Sequence, residues 1–207
     1  MKFYISDLHL YHLNIITKLD KRPFRNEDEM HQYIIKKWNE KVGQNDEVYI
    51  VGDVSFGNGY LTNELLKQLN GKKHLVLGHH DGKLLKGNAF DRSLIASTRD
   101  YYEIDDNGRR VILSHYPMMF YNGQYRTDET GRAKTYMLYG HIHDTQDMRL
   151  MEQLLEVARN FTFINKHSGE TCHIPFNLIN CFCMYSDFTP LTLDEWIAND
   201  RANGRVK

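Results

Sequence analysis

The sequence predicts an α/β fold organised on a parallel sheet, and three observations carry that expectation. β-prone runs and helical stretches alternate as β-α-β-α-β through Leu77. Five short β-like runs break at once into aspartate or histidine, which is where ligands collect in such sheets. No internal repeat or low-complexity linker interrupts the 207 residues, so one domain over residues 1–207 is expected, long enough to bury a core unaided.

Phe3 to Ile5 is the first strand, and it delivers Asp7 and His9 to a loop, two residues apart and so on one face of an extended segment. Asn26 reads as an N-cap, with Glu27, Asp28 and Glu29 in the first turn. Met30, Tyr33, Ile34, Trp38 and Val42 follow at helical spacing. Glu47 to Val51 is a second strand ending at Gly52-Asp53, and Leu61 to Leu69 a second helix closed by Asn70-Gly71. Lys73 to Leu77 is the third strand, running into Gly78-His79-His80-Asp81. A helical segment is expected around Arg92 to Thr98. Next, Tyr101 to Ile104 and Arg110 to Leu113 flank the hairpin signal Asn107-Gly108 and switch the pairing to antiparallel. Pro117 forces the chain out of the strand just after Ser114-His115-Tyr116. Tyr121 to Lys134 lacks periodicity and reads as a loop of the kind that lines a site. Tyr136 to Tyr139 ends at Gly140-His141-Ile142-His143. A helix near Gln146 to Val157, strands at Phe161 to Ile164 and Phe176 to Cys183, and a final helix opened by the Thr192–Glu195 capping box complete the reading.

Composition narrows the function. The 26 basic and 27 acidic residues leave a net charge of −1, so there is no strong signal for nucleic acid and none for an anionic membrane. The N-terminus carries an acid by position 7, and no apolar run could span a bilayer. Cys172, Cys181 and Cys183 are odd in number and contain no CxxC pair, which suits thiols in a reducing, cytoplasmic compartment. Histidine is the outlier at eleven residues.

Each strand-end block alone is a weak signal, and a solvated strand end is the ordinary reading of an Asp-x-His. Their recurrence shifts the balance. Aspartates and histidines without thiolate suit Mn²⁺ or Fe foremost, with Zn²⁺ or Ni²⁺ also compatible, and not a structural zinc or an all-oxygen calcium site. Six or more candidate ligands exceed one tetrahedral ion and suit two ions sharing a carboxylate.

The ordered blocks Asp7-Leu8-His9, Gly52-Asp53-Val54, Gly78-His79-His80-Asp81, Ser114-His115-Tyr116-Pro117 and Gly140-His141-Ile142-His143 resemble the calcineurin-like metallophosphoesterases. The segments Asp7 to Asn14, Arg22-Pro23-Phe24 and Asp53 to Gly57 are similar to small bacterial and phage members. The resemblance implies a four-layer α/β/β/α sandwich with a dinuclear site. One ion would be held by Asp7, His9, Asp53 and His143, the other by Asp53, His79, His115 and His141, with Asp53 bridging. It implies hydrolysis of phosphomonoesters or phosphodiesters, nucleotides and cyclic nucleotides among them, by a metal-bridging hydroxide. His80 would protonate the leaving oxygen and Asp81 would orient its ring.

His79 departs from the pattern, because the family has asparagine there. An imidazole suits the same ions, but its reach differs. The competing reading is therefore a binding module that kept the fold with little or no catalysis. A metallo-β-lactamase site is set aside, since Asp144 falls one place too early for that motif. His12, Tyr116 and Arg126 are candidates to line a pocket for a small phosphate-ester substrate, against the alternative of plain loop surface. His31, His74, His167 and His173 read as surface or packing residues.

Overall fold

A computed structural model describes residues 1–203, in which helices and parallel strands form a mixed α/β fold. Strands β1 (Lys2–Ile5), β2 (Glu47–Val51), β3 (Lys72–Val76) and β4 (Ser97–Arg99) form one sheet in that order, every neighbouring pair parallel. Strands β5 (Tyr101–Asp106), β6 (Arg109–Ser114), β7 (Thr135–Tyr139) and β10 (Leu178–Asn180) form a second, ordered β10-β7-β6-β5. There β6, β7 and β10 run parallel and β5 antiparallel. The hairpin between β5 and β6 turns at Asn107 and Gly108, both at positive φ, the twist that a two-residue turn needs. Strands β8 (Thr162–Ile164) and β9 (Thr171–His173) pair only with each other.

Side-chain alternation along these strands sorts the interior into three clusters. Phe3, Ile5, Val48, Ile50 and Leu75 pack with Met30, Ile34 and Trp38 of α1 (Glu27–Lys41) and Leu65 and Leu66 of α2 (Gly59–Leu66). The intervening residues Tyr4, Tyr49, Val51 and Val76 turn to a second cluster shared with Val111, Leu113, Tyr136, Leu138 and Ile179 of the other sheet. Trp196 of α5 (Leu193–Ala202) lies in that same cluster and donates its indole N–H to Tyr4 O at 2.9 Å. Ile112, Met137 and Tyr139 join Met148, Met151 and Leu155 of α4 (Gln146–Asn160) in the third. Removing a fully buried anchor such as Trp38 is expected to cost ~3–5 kcal/mol.

The starts of α1 and α5 are where the sequence placed them, whereas α2 opens earlier, at the Asn58 cap, and ends at Leu66 instead of Leu69. Asn26 accepts from Glu29 N at 2.9 Å, and Thr192 and Glu195 close a complete capping box. Three further expectations need correction. Only Arg92–Leu94 is helical in the 92–98 segment, as one 3₁₀ turn; Ser97–Arg99 is instead the edge strand β4, because its backbone pairs with β3. Asp81–Lys86 forms a short helix, α3, that no periodicity announced. The 176–183 strand shortens to Leu178–Asn180 and is followed by a 3₁₀ turn at Cys183–Ser186. Among the described residues no helix is long and apolar enough to cross a membrane.

Candidate metal centre

The carboxyl ends of β1, β2, β6 and β7 carry the predicted side chains to one place. Loop backbones continue the ladders past the strands: Asp7 N–H donates to Gly52 O, His9 N–H to Asp53 O and Gly140 N–H to His115 O, each at 3.0 Å. Asp7, His9, Asp53, His141 and His143 all adopt left-handed backbone conformations, with φ between 44° and 72°. Such strain in non-glycine residues persists where surrounding structure over-determines it, as at ligand sites. Gly52 and Gly140 are required by close approach. A Cβ on Gly52 would stand 2.1 Å from His115 Nδ1, and one on Gly140 2.5 Å from Asp7 Oδ2.

Two trios of ligand atoms result. Asp7, His9 and His143 form one and Asp53, His115 and His141 the other, with the atoms of each trio within 4.8 Å of one another. Asp53 Oδ2 stands between them, 3.6 Å from His9 Nε2 and 3.5 Å from His115 Nε2. His9 Nε2 and His143 Nε2 approach to 3.2 Å, and His143 Nε2 lies 3.4 Å from Asp7 Oδ1. The buried Nε2 of His115 has no hydrogen-bond partner among the described residues. An orphaned buried nitrogen beside a carboxylate and converging imidazoles fits a cation, and the N/O donor set suits Mn, Fe, Zn or Ni.

The remaining ring nitrogens are held from outside. His115 Nδ1 bonds Val51 O at 3.0 Å, and His143 Nδ1 bonds Asp20 Oδ1 at 2.7 Å. Asp20 is in turn gripped by the buried Arg22, whose other donors reach Leu8 O at 2.7 Å and Asp7 O at 2.8 Å. Asn180 donates to His143 O at 3.2 Å.

These contacts set the protonation states. Burial pushes Asp7 up, but the hydrogen bond and charge of His143 outweigh it and hold the carboxyl below its usual range. Burial likewise opposes ionisation of Asp53, and His115 overcomes it, with help from the His80 backbone N–H. Burial drives His9 down to about 3. For His143 the burial penalty is exceeded by Asp20 and Asp7, which raise it to about 9. His80 and His141 both fall, chiefly through burial.

His80 is half-buried at the edge of the trios, its Nε2 3.9 Å from Asp53 Oδ2. Asp81 does not orient that ring. Its Oδ1 accepts from Val54 N and its Oδ2 from Asp53 N and Gly78 N, at 2.8–2.9 Å, so it fastens the Asp53 loop to the end of β3. His79 joins neither trio. Its exposed ring stacks on His80 at 4.5 Å and lies near-parallel to the His141 ring at 6.0 Å. Tyr116 flanks His141 at 4.5 Å, and His12 Nδ1 lies 3.3 Å from His9 Nδ1. Arg126 is exposed in its loop, with its backbone tied to Gly123 and Lys134. His31 accepts from Tyr11 N and His74 stacks on Tyr49, as packing residues do.

Sequence reasoning missed Asp20 and Phe56. Asp20 sits two residues before Arg22, inside a segment already notable for Arg22-Pro23-Phe24, and that acid–base pair was the available signal. Phe56 had no signal beyond its place after the Asp53 block.

Comparison with known proteins agrees with this geometry. Residues 1–169 match the calcineurin-like phosphoesterase superfamily domain. The chain belongs to that superfamily. An uncharacterized protein of Methanocaldococcus jannaschii, MJ1445, is 35% identical over 121 residues, spanning 55% of this chain and 68% of its own. The Gene 66 protein of Mycobacterium phage D29 is 29% identical over 168 residues, 68% of this chain and 77% of the phage protein. A crystal structure of a protein of unknown function from Aquifex aeolicus, AQ665, shares the fold at a TM-score of 0.61 and 22% identity, covering 96% of this chain and 98% of that one.

Proposed function

We propose that this superfamily member is a metal-dependent hydrolase of phosphomonoesters or phosphodiesters, acting on small esters such as nucleotides or cyclic nucleotides. The observation that carries the reading is Asp53 Oδ2, set between a trio with an orphaned imidazole nitrogen and a second trio of the same chemistry. Asp7, His9 and His143 would hold one ion and His115 and His141 the other, with Asp53 serving both. Mn²⁺ or Fe is the preferred occupant on donor chemistry. When bound, two such ions supply Lewis acidity for phosphate oxygens and lower the pKa of a water that attacks phosphorus.

The chain's own residues do the rest. Asp20 and the Val51 carbonyl hold His143 and His115 in fixed orientation, so the ligand nitrogens are aimed before anything binds. Asp81 pins the Asp53 loop and therefore the position of the shared carboxylate. His80, poised at the rim, would give its proton to the leaving oxygen as the P–O bond breaks. The three clusters of apolar side chains support a four-layer α/β/β/α arrangement of one domain.

The test is a screen of mono-, di- and cyclic phosphate esters with Mn²⁺, run with and without chelator. Hydrolysis that chelator abolishes is expected. Within it, His80→Ala should slow esters with poor leaving groups far more than it lowers metal content. The exposed His79 favours a second reading, a binding module with weak or no turnover. Bound metal with no hydrolysis of any ester would establish that reading instead.

A further inference from the structure

A cleft of about 780 Å³ opens directly from His79 and His80, between the turn at Ser55–Gly59 and the segment that carries Lys83, Leu84 and Ala89. Its size is that of a pocket for a small organic molecule, not for phosphate alone. Phe56 lines it and stays 41% exposed, although the ring packs on His12 at 3.8 Å and 19°, lies 5.4 Å from His9 and reaches His80 at 4.3 Å. A large aromatic kept open to water beside a site loses apolar burial that a ligand could recover.

Both walls are fastened before any ligand arrives. On the Phe56 side, Phe56 N–H donates to Leu10 O at 2.8 Å, Ser55 Oγ shares a 2.8 Å hydrogen bond with Thr62 Oγ1, and Gly57 N–H donates to Ser55 Oγ at 3.0 Å. On the other side, Asn63 donates to Ala89 O at 2.9 Å and accepts from Asp91 N at 3.0 Å. A preformed cleft of this kind spends little binding energy on ordering itself.

We propose that this cleft receives the leaving group of the substrate and that the group is an alcohol carrying a planar aromatic ring stacked on Phe56, either aryl or nucleobase-bearing. The inference rests on the phosphoesterase reading and deepens it. His80 lies between Asp53 and Phe56, so an oxygen that takes the His80 proton carries the rest of its alcohol toward the Phe56 ring. Stacking on an aromatic side chain tolerates any π-face, which selects aromatic over alkyl leaving groups without selecting one base.

The experiment compares Phe56→Leu with the wild-type protein, both loaded with Mn²⁺, on two pairs of phosphate esters matched in leaving-group acidity within each pair: aryl against fluoroalkyl, and nucleoside against plain alkyl. Leucine keeps the apolar volume and removes the π-face. The ratio of kcat/KM for aromatic over alkyl esters is expected to fall roughly tenfold, through KM and not kcat. Whether the aryl or the nucleoside arm falls further identifies the source of the aromatic group. Asn88→Trp, an exposed lining position at which a large ring would crowd the cleft, is expected to raise KM for the same esters and guards against a local effect of the first variant. Saturation-transfer NMR with a free nucleoside and a free phenol reads the same contact without turnover, and the signal should weaken in Phe56→Leu. Hydrolysis with an unchanged aromatic-to-alkyl ratio in both variants overturns the cleft assignment and leaves the phosphoesterase reading intact. No hydrolysis of any ester by the wild-type protein overturns that reading, and this inference with it.

Discussion

Asp7, His9 and His143 are all buried, and the side chains behind them are covered as well: Asp20, 6% exposed at its side chain, holds the outer nitrogen of His143, and the buried Arg22 holds Asp20 together with the carbonyls of Asp7 and Leu8. Asp53, His115 and His141 use the same residue types with less support. His141 is half-exposed, flanked by the rings of His115 and Tyr116 instead of a carboxylate, and the residue expected as its fellow ligand, His79, is exposed with its ring 6.0 Å away. The difference teaches that ligand identity and ligand organisation are separate properties. Under the proposed reading the first trio binds its ion tightly, and the second trio binds weakly and sets the metal concentration at which turnover begins.

The harshest test of the comparison is Asp53→Ala, which removes the atom both trios share. Metal analysis by mass spectrometry should find both ions depleted, and turnover should fall well beyond the roughly 10–100-fold typical of losing an outer partner. Loss of a single ion would break the bridging assignment. Next in size is Asp20→Asn, which keeps the shape behind His143 and removes the charge. Calorimetric titration should show the tighter ion weakened by roughly 10–100-fold and the weaker ion little altered.

Acid–base behaviour offers a third test, in protein stripped with chelator. His143 is raised from 6.5 to about 9 because its folded environment favours the charged form. That contribution to stability is complete below pH 6.5 and is lost as pH rises through about 9, a change on the order of 1–3 kcal/mol. Chemical denaturation across that range should record the decline, and Asp20→Asn should flatten it. Metal binding near pH 7.5 should release about one proton, measurable as a dependence of binding heat on the buffer's ionisation enthalpy. The smallest expected effect is that of His79→Asn, which restores the family's amide. A few-fold tightening of the weaker ion is expected, and no change at all would separate position 79 from the second trio.

The strand-end blocks were legible because their signal is local: a β-prone run, then glycine or serine, then a ligand residue. Asp7, His9, Asp53, His115, His141 and His143 all arrive where that pattern put them. Asp20 was only faintly legible: its pairing with the nearby Arg22 could be read locally, but its contact with His143 spans 123 residues. Asp81 misled for the converse reason. Adjacency to His80 suggested a ring partner, but the turn into α3 points the carboxylate inward to three backbone N–H groups. His79 misled as well: its position in the motif implied a ligand, but it stays exposed and outside both trios.

By itself the sequence determined the strands that lead into the ligand blocks, the caps at Asn26 and Thr192 and which residue types could bind a cation, because propensity, periodicity and capping act over a few neighbouring residues. Only the tertiary structure decided which imidazoles converge, which of two adjacent histidines stays exposed, what holds the ligands from behind and that a cleft opens beside His80. Those outcomes depend on the register between parallel strands and on left-handed turns at their ends, where a rotation of one residue changes the direction of every atom that follows.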